Sequence, residues 1–172
     1  MRKGPYGHFG ALAVVNALGD VVAADGRILA GATRPDGTQP GADSVVTANL
    51  WGMDFKGLTG SAVTGGEGTV HPAPGTNTTL VVVGCDLPLS RVDLGRLAGM
   101  SATALPRAIA PVNTPFDGDI VFCVSTAPEE RPVKAEELLA LGVIAREVTE
   151  EAIRRAVLKA REPSGNSREG ER

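Results

Sequence analysis

The sequence predicts a layered sandwich of α/β (α+β) class, and three observations carry that expectation. Two short, continuous apolar runs, Thr79 to Cys85 and Ile120 to Val124, are bounded by turn residues, the pattern of strands buried on both faces. Segments with apolar residues at helical spacing alternate with those runs, as in folds that stack helices on sheets. No internal repeat divides the chain, and 172 residues with 42% hydrophobic and 22% charged content suit one domain.

Taken in order, residues 10–16 (GALAVVN) and 20–24 (DVVAA) read as short strands around Gly19. Asp25-Gly26 is a turn signal and leads into Arg27 to Ala30. Residues 31–43, rich in Gly, Pro and Asp, read as loop. Residues 52–77 include GGEGTVHPAPGTN and are the least regular stretch; a loop of that length in a compact domain marks function or flexibility. The apolar strand from Thr79 follows. Ser90 then caps a helix carrying Leu94, Leu97, Ala98 and Leu105, which Pro106 ends or kinks. Pro111 to Asp119 is a loop with two prolines that runs into the second apolar strand. Two helices close the fold. Ala135–Leu141 stops at Gly142. Thr149–Arg161 places Ile153, Ala156, Val157 and Ala160 on one face, with Glu150–Arg154 and Glu151–Arg155 pairs on the other. Residues 1–162 form a single domain on this reading, and the polar residues 163–172 form a disordered tail.

Composition excludes several classes of function. A net charge of −3 and 3% aromatic residues supply neither the basic field nor the stacking platform of a nucleic-acid binder. No apolar run approaches the roughly 20 residues needed to cross a bilayer, so no membrane role is expected. The opening MRKGPYGHFG lacks the features of a signal peptide. Cys85 and Cys123 lie in apolar runs and read as buried free thiols of a reducing compartment. His8 and His71 are isolated, which leaves no zinc ligand set. A cytoplasmic protein with no metal and no cofactor is expected.

Three features carry chemistry. In Gly75-Thr76-Asn77-Thr78-Thr79-Leu80 an irregular loop meets a strand with a hydroxyl at the junction. The loop can twist the Asn77–Thr78 bond while the strand holds Thr78 still. Attack of Thr78 Oγ on the Asn77 carbonyl, followed by hydrolysis, would free an amine able to act as base for its own hydroxyl. Read alone, the same residues also fit an ordinary turn before a strand. Second, Asp117-Gly118-Asp119 places two carboxylates at a strand mouth, where residues i and i+2 share a side. Such carboxylates can raise each other's pKa and divide orienting from proton transfer; a solvated turn or a weak cation contact fits them too. Third, the Asn16 amide, at the end of an apolar run, can donate to a developing oxyanion or simply form a turn.

Together these stretches resemble the self-processing L-aminopeptidase/D-esterase-type peptidases, relatives of β-peptidyl aminopeptidases and the nylon-oligomer endo-hydrolase. The matching segments are GALAVVNALGDVVAADGRILAGA, GTNTTLVVVGCDLPLSRVDLGRLAGM, AIAPVNTPFDGDIVF and EEAIRRAVLKA, in the family's order. The joint pattern of NTT, the aspartate eight residues on, and PFDGD is the specific part. The resemblance implies autocleavage between Asn77 and Thr78, with 1–77 ending a large subunit and 78–162 forming a small one. It implies Thr78 as nucleophile, Asp117 and Asp119 as the paired acid-side residues, and Asn16 as oxyanion donor. It also implies an αββα sandwich of the N-terminal-nucleophile type, a small peptide or amide substrate, and a homo-oligomer or a companion N-terminal chain.

The chain departs from the family in four ways. It resembles only the C-terminal part, so the sandwich is expected to be incomplete, with one sheet face and strand edges open. The catalytic lysine of the family's threonine branch has no matching position, since Lys3 lies too close to Asn16. Ser101-Ala102-Thr103-Ala104 stands where relatives often read AHDG, and Asn113 where many have His. These departures leave an inactive remnant or one piece of a split enzyme as an alternative to a self-cleaving hydrolase; a second alternative is an acyltransferase of the ornithine acetyltransferase type, a related superfamily that uses the same N-terminal threonine.

Overall fold

The computed structural model describes residues 2–4, 7–33, 36–49 and 77–161. The irregular stretch 52–76, His71 and the tail 163–172 lie outside the described residues. The chain order is β1 (Arg2–Gly4), β2 (Gly7–Asn16), β3 (Asp20–Val22), β4 (Ile28–Ala30), α1 (Ala42–Asn49), β5 (Thr78–Cys85), α2 (Arg91–Ala102), α3 (Leu105–Ala108), β6 (Ile109–Ala110), β7 (Ile120–Ser125) and α4 (Ala135–Arg161).

Four strands form one sheet in the order β1-β2-β5-β7. β2 runs antiparallel to β5, with Phe9 opposite Cys85 and Asn16 opposite Thr78. β7 runs parallel to β5, Leu80 beside Ile120 and Cys85 beside Ser125. A parallel pair needs a crossover, and α2, α3 and β6 lie within it. A smaller sheet, β4-β3-β6, holds the Asp25-Gly26 turn between β3 and β4.

Helices α2 and α4 cover one face of the large sheet. Phe9, Val81, Val83 and Cys85 point into that layer and meet Leu97, Leu141, Ala145 and Ile153 in one core. The other face carries Leu12, Val14, Leu80, Val82, Ile120, Phe122 and Val124, all substantially exposed. One open sheet face is therefore present among the described residues, as an incomplete sandwich would have. It corrects the reading of Thr79–Cys85 and Ile120–Val124 as strands buried on both sides: each alternates, and only one of its faces has a helical layer to pack against.

Ser90 caps α2, its Oγ accepting the Asp93 N–H at 3.1 Å, and Pro106 sits in the first turn of α3 rather than ending a longer helix. The two C-terminal helices are in fact one, α4, 27 residues long. Gly142 does not stop it, because a Cβ there would overlap the Met100 thioether of α2; the glycine serves close helix packing. Nor is the Glu150–Arg154 pair on the outer face. Glu150 is nearly buried and also meets Arg107 Nε at 2.5 Å and Arg146 Nε at 3.4 Å. Ser101, within the stretch that departs from the family pattern, is fully buried and shares a 2.7 Å hydrogen bond with Thr149, tying α2 to α4. Helix α1 falls where the sequence reads as loop or is silent. Its first N–H, from Ala42, donates to Asp20 Oδ2 at 2.5 Å, so a buried carboxylate from β3 fixes where it begins. Among the described residues no helix is long and apolar enough to cross a membrane.

Candidate active site

β5 begins at Thr78, directly after Asn77. Antiparallel pairing on one side puts Asn16 directly opposite Thr78. On the other side an isolated parallel bridge puts Asn77 beside Asp117. Asn16, Asn77, Thr78, Asp117 and Asp119 thus meet at one end of the sheet. The Asn77–Thr78 junction therefore lies next to both aspartates.

The Asn77 carbonyl is held from two sides. Thr78 Oγ1 donates to its oxygen at 2.7 Å, and the Gly118 N–H donates to the same oxygen at 2.8 Å. The Asn77 N–H donates to Phe116 O at 3.4 Å. The hydroxyl of Thr78 therefore lies against the peptide group that precedes it, and that group is fixed to the loop bearing the aspartates.

The two carboxylates do different things. Asp117 Oδ2 accepts from Thr114 N at 2.8 Å and from Thr114 Oγ1 at 2.7 Å, which closes the Thr114–Asp117 turn. Asp119 Oδ1 accepts the Thr79 N–H at 2.6 Å. Asp119 thus meets Thr79, the fully buried neighbour of Thr78. Burial pushes the Asp119 carboxyl above the usual carboxylate range; the Thr79 N–H offsets part of the rise, and the charge of Asp117 adds to it. Asp117 Oδ1 is buried with no hydrogen-bond partner among the described residues, so the pair retains acceptor capacity. Asn113 sits in the same loop with φ 56°, a left-handed conformation that Asn tolerates better than most residues.

Sequence reasoning missed Thr114, Thr79 and Gly118. Thr114 had a local signal, a hydroxyl residue three positions before Asp117, which is turn chemistry. Thr79 and Gly118 had none, because their roles depend on the register of β5 against β7. Of the two cysteines, Cys85 is buried and Cys123 half-buried, both as free thiols; burial first, and then Cys85, push the Cys123 thiol up to about 12. His8, read as isolated, bonds Asp86 through Nδ1 at 2.7 Å at the far end of the sheet.

An acyl-transfer centre on an α/β scaffold is what this arrangement can build: a hydroxyl, a carbonyl held by donors, and paired carboxylates beside it. The chain belongs to peptidase family S58, whose sequence pattern matches residues 6–170. An uncharacterized aminopeptidase of Mycobacterium tuberculosis is 34% identical over 99 residues, 52% of this chain and 29% of the relative. One of Mycobacterium leprae is 34% identical over 95 residues, 52% of this chain and 26% of the relative. The chain thus spans under a third of the length of these curated relatives. Among solved structures, the L-aminopeptidase D-Ala-esterase/amidase of Ochrobactrum anthropi, described as a variant of the Ntn hydrolase fold, superposes with TM-score 0.47 and 19% identity over 91% of this chain and 41% of that one. A β-aminopeptidase of Burkholderia sp. superposes with TM-score 0.40 and 20% identity over 87% and 41%.

Proposed function

We propose that this chain is the catalytic segment of a self-cleaving, N-terminal-threonine peptidase or amidase. Membership of a peptidase family supports amide hydrolysis. The observation that carries the finer reading is the 2.7 Å approach of Thr78 Oγ1 to the Asn77 carbonyl oxygen, beside Asp117 and Asp119.

In the proposed first stage Thr78 Oγ adds to the Asn77 carbonyl carbon. The C–N bond breaks and the hydroxyl proton ends on the Thr78 nitrogen. Water then hydrolyses the resulting ester, leaving a carboxylate at Asn77 and a free Thr78. The new amine has a reference pKa of about 8 and serves as base for its own hydroxyl near neutral pH. Asp119, whose carboxyl holds its proton more tightly than usual, carries protons, and Asp117 orients the ammonium with its remaining acceptor oxygen. In the second stage Thr78 attacks a small peptide or amide substrate, and Asn16, across the strand pair, donates to the oxyanion.

Without a second layer the open apolar face of the sheet would remain in water, which supports action as a homo-oligomer or with a companion N-terminal chain. The free thiols of Cys85 and Cys123 suit a reducing cytoplasm.

Intact mass after purification tests the reading. The expected result is a fragment beginning Thr-Thr-Leu-Val, absent from Thr78→Ala, with aminoacyl-amide hydrolysis lost in the same variant. A single full-length mass, both alone and with any companion chain that sedimentation reveals, would sink it.

A further inference from the structure

Gly118 lies between the two aspartates and has no part in the two-stage reaction proposed for them. Yet its N–H is one of two donors on the carbonyl of the bond to be cut. We propose that the Gly118 N–H is the oxyanion donor for scission of the Asn77–Thr78 bond, and that glycine is required there because of the Thr78 hydroxyl. This rests on the self-cleavage reading and assigns it a specific electrostatic part.

When Thr78 Oγ1 bonds to the Asn77 carbonyl carbon, the π pair moves onto the Asn77 oxygen. That oxygen already accepts the Gly118 N–H at 2.8 Å. A fixed backbone donor gains more from an oxyanion than from a neutral carbonyl, so it lowers the barrier rather than merely binding the ground state. The second donor, Thr78 Oγ1, must give up its proton as it attacks. The proton passes to the Thr78 nitrogen, the C–N bond breaks and the ester remains for water to hydrolyse. Only the Gly118 bond on that oxygen persists through the step.

Both neighbours hold the donor in place. Asp117 closes the turn through Thr114, and Asp119 binds the Thr79 N–H at 2.6 Å. The aspartates thereby aim the amide between them. A Cβ at position 118 would stand 3.0 Å from Thr78 Oγ1, so the attacking hydroxyl would have to shift by a few tenths of an ångström. Asn16, on the opposite strand, is left for the oxyanion of an incoming substrate.

The competing account is that this bond is only one more rung between β5 and β7. Replacing Gly118 by glycolate, which exchanges the N–H for an ester oxygen at nearly constant shape, separates the two. The full chain is followed by mass for release of the fragment starting at Thr78. Cleavage should slow about 100-fold, the effect of losing one oxyanion donor, whereas phenyllactate in place of Phe122, inside β7, should leave the rate at the parental value. Equal rates at both positions overturn the inference alone. A parent that never cleaves overturns it together with the self-cleavage reading. Should the glycolate protein not fold, Gly118→Ala carries the test: it keeps the donor but crowds the hydroxyl, and cleavage at the parental rate would refute the requirement for glycine.

Discussion

Val81 and Val82 are neighbours in one strand with the same side chain, yet Val81 is fully buried and Val82 is 41% exposed. The two faces of the large sheet differ in this way throughout. One is closed by α2 and α4; the other presents Leu12, Val14, Phe122 and Val124. Apolar composition is similar on both, so composition does not set burial. The alternation of the strand and the availability of a helical layer do. The proposed site straddles this division. Thr78 alternates onto the open side with Leu80 and Val82, while the Thr79 side chain lies on the closed side and its backbone N–H bonds Asp119 in the plane of the sheet. The Thr78 hydroxyl is thus seated on a strand whose other face is anchored.

The strongest challenge to that contrast uses one residue type on each face. Phe9, 1% exposed, points into the helical layer, and Phe122, 50% exposed, points away from it. Phe9→Ala should lower unfolding stability by about 3–5 kcal/mol through lost burial and an unfilled cavity. Phe122→Ala should cost about 1 kcal/mol or less and reduce self-association. Denaturant melts of both variants measure this, with sedimentation for the second. Equal losses would mean that both faces are packed in solution.

Two carboxylates at opposite ends of the sheet sharpen the comparison through pH. Burial holds Asp119 above its ordinary value of 3.8, and it binds its proton more tightly when folded than unfolded. Its contribution to stability is therefore full below pH 3.8 and is lost as pH rises through the raised folded value. Asp86, exposed, is held below 3.8, chiefly by the His8 backbone N–H and then by the His8 ring. Its contribution is present above pH 3.8 and is lost as pH falls through the lowered value. Asp119→Asn should flatten the decline of Tm from acid to neutral pH, and Asp86→Asn the decline on acidification. Thermal melts across that range check both, and matching profiles for the two variants would contradict the assignment.

Much of this organisation is legible in the sequence, and what is not has identifiable causes. The strands around Gly19, the strands from Thr79 and Ile120, and the Ser90 cap follow from short-range pattern. Helix α1 does not, because its start depends on Asp20, 22 residues away in the chain. The exposure of Leu80 and Val82 was hidden because a continuous apolar run does not reveal which face lacks a neighbour. At the junction, NTT and PFDGD point to the residues proposed to carry chemistry. That Asp119 meets Thr79 while Gly118 meets the Asn77 carbonyl depends on the offset between β5 and β7, which neither segment encodes by itself.

Gly142 tests the closed face at its tightest point and should give the smallest effect. A glycine inside a helix costs roughly 1 kcal/mol relative to alanine, so Gly142→Ala would ordinarily stabilise α4. Here the added methyl meets the Met100 side chain of α2. Methionine yields more readily than a branched side chain, but the close approach of its Cβ, 3.1 Å from the added methyl, limits how far the helices can accommodate it. The clash should exceed the propensity gain slightly, for a net loss of about 1 kcal/mol. In a Met100→Ala background the obstruction is gone, and the same substitution should become stabilising by up to about 1 kcal/mol. The change of sign, read by chemical denaturation of the four proteins in the cycle, is the expected signature of close packing. A destabilisation that persists without the methionine would instead mean that the backbone at Gly142 departs from helical geometry, and that α4 is two helices after all.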